Sequence, residues 1–457
     1  MASTYQHIGN PELNEYDVVV VGAGFTGLTA AFVLSQRGYN VKVVESEDTP
    51  GGLAGTFQFD DGVEVEKFYH HWFNSDQYVP ELVEELNLSG DVITLPSKTG
   101  MYLNGRMWKL STPLDLLKFS ALSLWDRVRL GLLVFQVRRI SDWKNIEHLS
   151  IREWLESLCG KRVYQVVWEP LVNSKFSVYA ESVSAVWMWK KLFLRGSTRN
   201  SAGGEELAYF KGGFGRLAQA LTDSIETNGG SVSYGDGVSF VNESEGSDAA
   251  LESLTTSDGD RIRGKQFLFT PAFPIIANFF EPTDKEKWMD SLQRVKYLGN
   301  ICLVLRLKKS LSDMYWINVN DPSFPFVGVI EHTNFDAPEN YRGSHIVYLS
   351  RYLAVEDPVW SYSESDYFDF ALEHLIRMFP AFEESLVIDY QVWRAEYAQP
   401  VTECHYSEYL PSQKTPYRNA HISTMAHIYP EDRGTNYAIR EGREIAEKIQ
   451  LELERCT

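Results

Sequence analysis

The pattern of apolar and polar positions near the start of the chain predicts a strand, a glycine-rich turn and a helix. Four consecutive valines, Val18–Val21, are typical of a strand that is buried on both faces of a parallel sheet. Three glycines follow at once with the spacing G-x-G-x-x-G, and the apolar positions from Leu28 to Gln36 then recur with helical spacing. The β-branched run Val41–Glu45 predicts a second strand directly after this helix.

The spacing of these glycines indicates a site for a nucleotide diphosphate. Gly22 permits the tight turn, Gly24 lets the diphosphate approach the backbone, and Gly27 lets the helix pack on the strand. The free N–H groups of the helix start attract an anion. Glu45 ends the second strand 18 residues after Gly27, where its carboxylate can accept hydrogen bonds from a ribose. The whole unit favours dinucleotide binding over a glycine turn without a ligand, and NAD or FAD would suit it equally.

The rest of the pattern predicts that the α/β unit is interrupted twice. Helical spacing dominates from Pro113 to Trp168, and strands and a helix resume around Tyr209–Phe214. A second run of strands begins at Tyr297–Leu307, and a last helix ends near Leu453. We therefore predict an α/β fold with a Rossmann-like domain, a parallel sheet with flanking helices. A discontinuous α+β substrate domain with a helical insertion accompanies it.

Two adjacent histidines, His70 and His71, stand among four aromatic residues in the segment Phe68–Phe73. No third ligand is near them in the sequence, so we expect no metal site. A flat aromatic cofactor or a sugar is the favoured neighbour, and two ordinary histidines of a strand are the alternative. Further along, Trp187, Trp189 and Phe193 predict an apolar, aromatic pocket, although such a stripe is also typical of a core.

Composition and charge narrow the range of functions. The chain has 457 residues, 44% of them hydrophobic, and a net charge of −19, which argues against nucleic acid or a broad anionic membrane surface as main partner. Four scattered cysteines and the absence of a signal-like start favour the cytoplasm. No stretch is long and apolar enough for a membrane span. The amphipathic block from Leu110 to Val137 predicts packed helices, with peripheral membrane contact as the alternative.

Taken in order, several segments resemble the FAD-dependent amine oxidase superfamily, above all its protoporphyrinogen oxidase-like and phytoene desaturase-like branches. The resemblance extends from Val18 to Ile449, and only the ordered set of segments is specific. The matching segments are Gly22–Gly27, Glu45, Pro50–Gly55, Trp168–Leu171 with Lys175–Phe176, Phe210–Phe214, Thr270–Ala272 and Asp432–Ala438.

The resemblance implies FAD as cofactor and hydride transfer from the substrate to the flavin N5 atom. Glu45 would hold the adenosine ribose, Val238 would reach the adenine, and Asp432–Asn436 would lie by the ribityl chain and the pyrimidine edge. The implied FAD-binding residues are Gly22, Gly24, Phe25, Thr26, Gly27, Glu45, Ser46, Gly51, Gly52, Leu53, Ala54, Val238, Asp432, Gly434, Thr435 and Asn436.

The resemblance also implies a division of the chain into five segments. The FAD-binding domain would comprise residues 1–98, 206–290 and 398–457, and the substrate domain residues 99–205 and the β-rich residues 291–397. The substrate expected from the resemblance and the aromatic residues is a small molecule, either hydrophobic or linked to a polyprenyl or carbohydrate group.

The chain departs from the family pattern at two places, and the histidine pair keeps a second function open. Leu53 replaces the arginine usual in amine oxidases, and Glu431–Gly434 replaces the usual Gly-Asp. The histidine pair is similar to a segment of UDP-galactopyranose mutases, which use reduced flavin on a sugar nucleotide without net redox chemistry. For such a diphosphate, Arg106, Arg351 and Arg394 are the candidate ligands. Our candidate catalytic residues are therefore His70, His71 and Arg394, and the sequence leaves the oligomeric state open.

Overall fold

The strands follow the predicted order closely. The computed structural model describes residues 15–109, 113–197, 205–244, 249–281 and 285–456. Most of segment 195–206, which the sequence predicts as a mobile loop, lies outside these described ranges. The strands are β1 (Glu15–Val21), β2 (Val41–Val44), β3 (Thr56–Gln58), β4 (Glu64–Glu66), β5 (Trp72–Phe73), β6 (Val92–Ser97), β7 (Thr99–Leu103), β8 (Arg106–Lys109), β9 (Glu205–Phe210), β10 (Ser231–Ser233), β11 (Val238–Glu243), β12 (Leu251–Thr256), β13 (Arg261–Phe269), β14 (Tyr297–Leu307), β15 (Trp316–Val319), β16 (Gly328–Glu331), β17 (His345–Leu353), β18 (Val387–Pro400) and β19 (Ala420–Ile422).

The helices lie between these strands along the chain. They are α1 (Phe25–Gln36), α2 (Tyr78–Glu85), α3 (Pro113–Lys118), α4 (Leu124–Val137), α5 (Ile151–Cys159), α6 (Lys161–Val163), α7 (Glu169–Phe176), α8 (Ala185–Ser197), α9 (Gly213–Thr227), α10 (Phe273–Ala277), α11 (Glu286–Arg294), α12 (Glu364–Met378), α13 (Tyr406–Tyr409) and α14 (Thr435–Cys456). A π-helical turn at Tyr164–Trp168 joins α6 to α7. The segment Pro113–Trp168 therefore holds α3 to α6 and this turn, where the sequence predicted about three helices.

The first sheet is centred on the valine run. Strand β1 pairs in parallel with β2 on one side and β13 on the other. The order is β10-β2-β1-β13-β12-β11, with β19 added to β13, and β11 and β12 run antiparallel. Helices α1, α9 and α14 pack together beside the sheet. The parallel strands β1 and β2 end at the same edge, and ligands of such folds bind at this edge. The α/β fold predicted from the sequence is confirmed.

The second sheet lies in the β-rich part of the chain and takes its first strands from the region before the helical block. Its order is β18-β14-β17-β16-β15-β7-β8. The predicted hairpin of β7 and β8 joins this sheet through a parallel pairing of β7 with β15. Helix α12 packs on the strands through Tyr367, Ala371 and Leu375, all fully buried. Strands of this sheet and the helices α7 and α8 line part of the aromatic cavity described below, while the five-segment domain division stays a prediction.

Helix α4 of the helical block is covered on one side only. It begins at the cap Ser123, whose side chain accepts a hydrogen bond from the Asp126 N–H. Leu133 and Val137 are buried against the block, whereas Trp125 is 74% exposed and Phe135 is 64% exposed. Packing therefore occupies only one side of the helix. Among the described helices, none is long and apolar enough to cross a membrane.

Candidate active site

The glycine turn forms a cradle at the carboxyl edge of the first sheet. Gly24 begins α1, and a bridge joins it to Gly51, whose N–H donates to the Ala23 carbonyl over 2.9 Å. A Cβ atom built on Gly24 meets no atom within 4 Å, so the backbone there borders open space. A Cβ atom on Gly27 would instead overlap the carbonyl oxygen of Gly22, because the helix packs directly on the turn. The two glycines therefore differ in their surroundings, and the role of Gly24 in holding a diphosphate stays a prediction.

Glu45 is held rigidly beside this cradle. One carboxylate oxygen accepts the Ala23 N–H at 2.6 Å, and the other accepts the Glu47 N–H at 2.9 Å and the Ser46 hydroxyl at 3.2 Å. The side chain is buried. A Cβ atom on Gly237, the residue before Val238, would lie 2.8 Å from the Cβ of Ser46. The start of β11 thus borders the same strand end as Glu45.

A cavity of about 280 Å³ continues from this edge between the two sheets and the helical block. It brings together seven of the predicted site residues: Leu53, His70, His71, Asp432, Gly434, Thr435 and Asn436. Its aromatic lining residues are Phe68, Tyr69, Trp72, Phe73, Trp168, Trp187, Tyr315, Trp316, Tyr352 and Tyr437. The lining thus combines ten aromatic rings with charged side chains, which are Asp76, Lys175, Lys190, Lys191, Asp432 and Arg433.

The segment before α14 supplies two of the charged side chains in the lining, Asp432 and Arg433. Asp432 accepts a hydrogen bond from the Trp187 indole N–H at 2.8 Å and forms an ion pair with Lys191 at 2.7 Å. Burial would raise the pKa of Asp432, but the cations of Lys191, Lys175 and Arg433 hold that pKa well below its usual range. Asn436 has a different task, since its side-chain oxygen accepts the N–H groups of Tyr78 and Val79. It fixes the start of α2 on the start of α14.

The two histidines also line the cavity. His70 Nδ1 donates to the Phe68 carbonyl over 2.7 Å, and burial lowers the pKa of His70 to about 4, so the ring is neutral near pH 7. His71 Nδ1 lies 2.9 Å from the Tyr315 hydroxyl. The nearby Asp76 also lines the cavity, and burial raises its pKa to about 6. His70 therefore contributes no charge near pH 7, whereas Asp76 is mostly ionised at that pH but takes up a proton more readily than an ordinary aspartate.

Lys175, Tyr352 and Arg433 form a cationic cluster that the sequence did not reveal. The Lys175 ammonium lies 3.7 Å from the centre of the Tyr352 ring, and Arg433 donates to the Tyr352 hydroxyl. Burial lowers the pKa of Lys175 to about 8. Burial alone would raise the pKa of Tyr352, but Arg433 and Lys175 lower it to about 8. Gln399 accepts a second hydrogen bond from Arg433, at 2.9 Å.

Arg394 lies apart from this site. Its guanidinium donates to the backbone carbonyls of Trp360 and Tyr362, and Arg394 does not line the cavity. This placement does not favour the catalytic role that we assigned to Arg394 from its charge. Trp189 is also elsewhere, buried in the helical block with its indole N–H donating to the Val137 carbonyl. Of the predicted aromatic stripe, Trp187 alone reaches the cavity lining.

Comparison with known proteins decides the family. The model of the family described as "Flavin containing amine oxidoreductase" matches residues 25–450 of the chain. The chain belongs to this family. It is accordingly an FAD-dependent oxidoreductase of the amine oxidase superfamily, and the family, the enzyme class and the cofactor predicted from the sequence are confirmed.

Individual relatives agree with the predicted branches. The chain is 22% identical over 399 residues to a 15-cis-phytoene desaturase of Solanum lycopersicum, covering 83% of this chain and 67% of that protein. The fold is similar to that of a candidate protoporphyrinogen oxidase from Exiguobacterium sp. 255-15, with a TM-score of 0.73, 14% identity, and 96% and 100% of the two chains covered. It is also similar to reduced UDP-galactopyranose mutase, with a TM-score of 0.75, 17% identity and 95% of each chain covered.

The residues at the cradle fit the FAD that the family uses. Gly24 borders open space at the helix start, where a diphosphate needs close backbone approach and free N–H groups. The buried Glu45 carboxylate beside it suits a ribose hydroxyl pair. Leu53 and the segment Asp432–Asn436 extend the same groove into the aromatic cavity, where a flat ring system finds flat neighbours. Among the described residues, no group of three or more potential metal ligands is present.

Proposed function

We propose that the chain takes a hydride from a largely apolar small molecule bound in the aromatic cavity. The observation that carries this proposal is the single cavity in which Leu53 and Asp432–Asn436, the residues expected at the flavin, share walls with ten aromatic side chains. FAD, when bound, supplies the hydride acceptor for such a reaction. A C–H bond of the substrate would lose its hydrogen and both bonding electrons in the step.

The protein's own contribution is orientation and the exclusion of water. The N–H groups at the start of α1 bind the diphosphate, and the Glu45 carboxylate accepts hydrogen bonds from the ribose hydroxyls. The cavity holds the substrate against rings such as Tyr69 and Trp316, which pack edge to face on each other with their centres 4.9 Å apart. His70, neutral near pH 7, and His71 offer polar contacts in the same cavity. In this proposal the side chains orient the substrate, and none of them needs to act as an obligatory base.

The lining supports a hydrophobic substrate, or one joined to a polyprenyl or carbohydrate group. Aromatic rings bury apolar carbon efficiently and also stack on the faces of sugars and polycyclic systems. The phytoene desaturases and the candidate protoporphyrinogen oxidase among the relatives differ in the molecules their names imply, so the relatives do not choose between these classes.

The test begins with the purified protein under anaerobic conditions. Candidate substrates from each class are added, and the flavin absorbance is followed. A substrate of the proposed reaction bleaches the flavin without any added reductant, and admission of an electron acceptor restores the absorbance. If every substrate that the enzyme converts leaves the flavin oxidised, the proposed hydride transfer is wrong.

A mutase is the second candidate, and the cationic cluster is the observation that favours it. Lys175 and Arg433 in the cavity have the charge that a nucleotide diphosphate requires. The arginines that we had assigned to this role give less support. Arg351 forms an ion pair with Asp357 at 3.1 Å, and Arg394 is bound to backbone carbonyls. A UDP-sugar that isomerises only after chemical reduction of the flavin, with no change in flavin redox state, would establish the mutase instead.

We further propose that the uncovered side of α4 rests on an anionic lipid surface. Leu124, Trp125 and Phe135 project from it with most of their surface exposed. The described residues 113–139 contain five basic and two acidic side chains, although the whole chain carries −19. This local reversal of charge next to exposed Trp, Phe and Leu is typical of helices that lie in a membrane interface. The broad acidic surface would then face the water.

A further inference from the structure

The charged groups that line the aromatic cavity do not balance one another. Lys190 pairs with Glu431 at 3.0 Å, and Lys191 pairs with Asp432 at 2.7 Å. In the described part of the chain, no ion pair joins Lys175 or Arg433 to a carboxylate. Their contacts are the Tyr352 ring and hydroxyl and the Gln399 amide. The direct contacts of the two cations are therefore neutral, and the nearby Asp432 carboxylate, which acts on both, forms its ion pair with Lys191.

An unbalanced pair of cations in such a space has an electrostatic cost. Removing a charged group from water is unfavourable unless an opposite charge or strong hydrogen bonds compensate it. The lowered pKa values of Lys175 and Tyr352 report this, since the ammonium tends to lose its proton and the phenol tends to supply a negative charge. An anionic ligand beside Tyr352 would relieve the same imbalance.

The positive lining continues beyond Tyr352. A second cavity, of about 680 Å³, lies on the other side of α7, and Tyr352 lines both cavities. Residues at helical spacing along α6, the π-helical turn and α7 form its wall, and Arg162 contributes positive charge to it. Arg351 lines it as well but forms an ion pair with Asp357. Glu169 also lines it but forms an ion pair with Arg152. The Lys175–Tyr352–Arg433 cluster therefore lies where the aromatic cavity meets a wider polar space.

We propose that the substrate of this enzyme carries an anionic group, a carboxylate or a phosphate, which Lys175 and Arg433 bind beside Tyr352. The apolar part of the substrate then extends among the aromatic rings, and the anionic group lies toward the second cavity. The inference rests on the proposed function, because it concerns the molecule bound in the same cavity. It selects against amines, which would bring a third positive charge to the cluster.

The test compares four probes of equal chain length on the FAD-loaded protein: decanoate, decyl phosphate, decylamine and decanol. Binding is measured by calorimetry and by perturbation of the flavin spectrum, below the concentration at which the probes form micelles. We expect at least one anion to bind about tenfold or more tightly than decanol, and decylamine to bind most weakly. The ranking of decanoate and decyl phosphate identifies which anion fits. Tighter binding of decylamine than of both anions would overturn the proposal.

Two variants identify the residue responsible. Lys175→Met should reduce the affinity for the preferred anion about tenfold while leaving decanol binding and FAD content unchanged. Lys144→Met is the control, because Lys144 also lies over an aromatic ring, Trp143, but is exposed and does not line the cavity. If Lys175→Met lowers FAD content and leaves anion binding as in the control, the cation serves the cofactor, and the proposal is wrong.

Different results would contradict the proposed hydride transfer and the proposed anionic substrate. A protein that purifies without flavin contradicts the proposed function before any probe is added. A flavin-loaded protein that reacts by hydride transfer but prefers amines contradicts the anionic substrate alone. The comparison of probes on the unaltered protein needs no variant, so a folding defect in Lys175→Met does not remove the test.

Discussion

The ammonium of Lys175 lies 3.7 Å from the centre of the Tyr352 ring, although 177 positions of sequence separate the two residues. Helix α7 of the helical block carries the lysine, and strand β17 of the second sheet carries the tyrosine. Arg433, just before α14, completes the contact from a third part of the chain. The site is thus assembled where separate segments meet, and its charge depends on how they pack.

Anion binding should depend on pH through Lys175. Its pKa is lowered to about 8, so the ammonium is present below that pH and is lost as the pH rises through it. Tyr352, whose pKa is also lowered to about 8, gains a negative charge over the same interval. Both changes weaken the attraction for an anion. We expect the affinity for the preferred anionic probe to fall as the pH rises from about 7 to about 9, and the fall to be much smaller in Lys175→Met. An affinity that rises over this interval would contradict the assignment.

Gly24 and Gly27 should respond differently to a single added methyl group. In Gly24→Ala the new Cβ atom projects into the open cradle, and the backbone angles φ −73° and ψ 171° suit alanine. The fold should therefore stay as stable as before, while FAD affinity falls by about tenfold, or ~1.4 kcal/mol. Thermal unfolding and flavin content of the dialysed protein measure the two effects.

In Gly27→Ala the methyl group overlaps the Gly22 carbonyl, so the helix must shift from the strand. We expect a loss of about 1–3 kcal/mol in the free energy of unfolding of the apoprotein, as in other overpacked sites. Denaturant unfolding of the flavin-free protein gives this value. Equal stability of the Gly24 and Gly27 variants would contradict the separate roles of the two glycines.

These glycines also mark what the sequence alone could reveal. A strand, a turn and a helix that follow one another carry a local signal, so the cradle and Glu45 could be predicted. Lys175 and Arg433 fell within recognised segments, but their charge gained meaning only beside Tyr352, which no local pattern links to them. Arg394 was predicted as a ligand-binding residue from its charge, but in the structure its guanidinium donates hydrogen bonds to backbone carbonyls instead.

The ion pair between Asp432 and Lys191 should support the segment that borders the flavin. Asp432→Asn keeps a partner for the Trp187 indole N–H but removes the charge opposite Lys191. Because the lysine side chain is 40% exposed, water compensates in part, and we expect a loss of only about 1–2 kcal/mol in unfolding free energy.

The loss of stability in Asp432→Asn should also depend on pH. The pKa of Asp432 lies below its unfolded value, so the carboxylate stabilises the fold above about pH 4 and this contribution disappears as the pH falls through the folded pKa. Unfolding curves of both proteins at several pH values measure the difference. A difference that grows toward acid pH would contradict this interpretation.

The α4 surface should govern binding to lipid vesicles. Trp125→Ser removes a side chain that is 74% exposed, so the fold should be unaffected while binding to vesicles of mixed phosphatidylcholine and phosphatidylglycerol weakens severalfold. Phe240→Ser on β11, where an exposed phenylalanine lies far along the chain from the helical block, is the matched control. Vesicle flotation measures both variants, and equal binding by the two would argue against α4 as the contact.

The absorbance spectrum of the purified protein, with chemical identification of the cofactor that acid releases from it, tests the account most directly. We predict a flavin spectrum, FAD as the released compound, about one FAD per chain, and a clear loss of this FAD in Gly24→Ala with the fold intact. A folded protein that holds no flavin, or whose flavin content ignores the Gly24 substitution, would contradict the central claim.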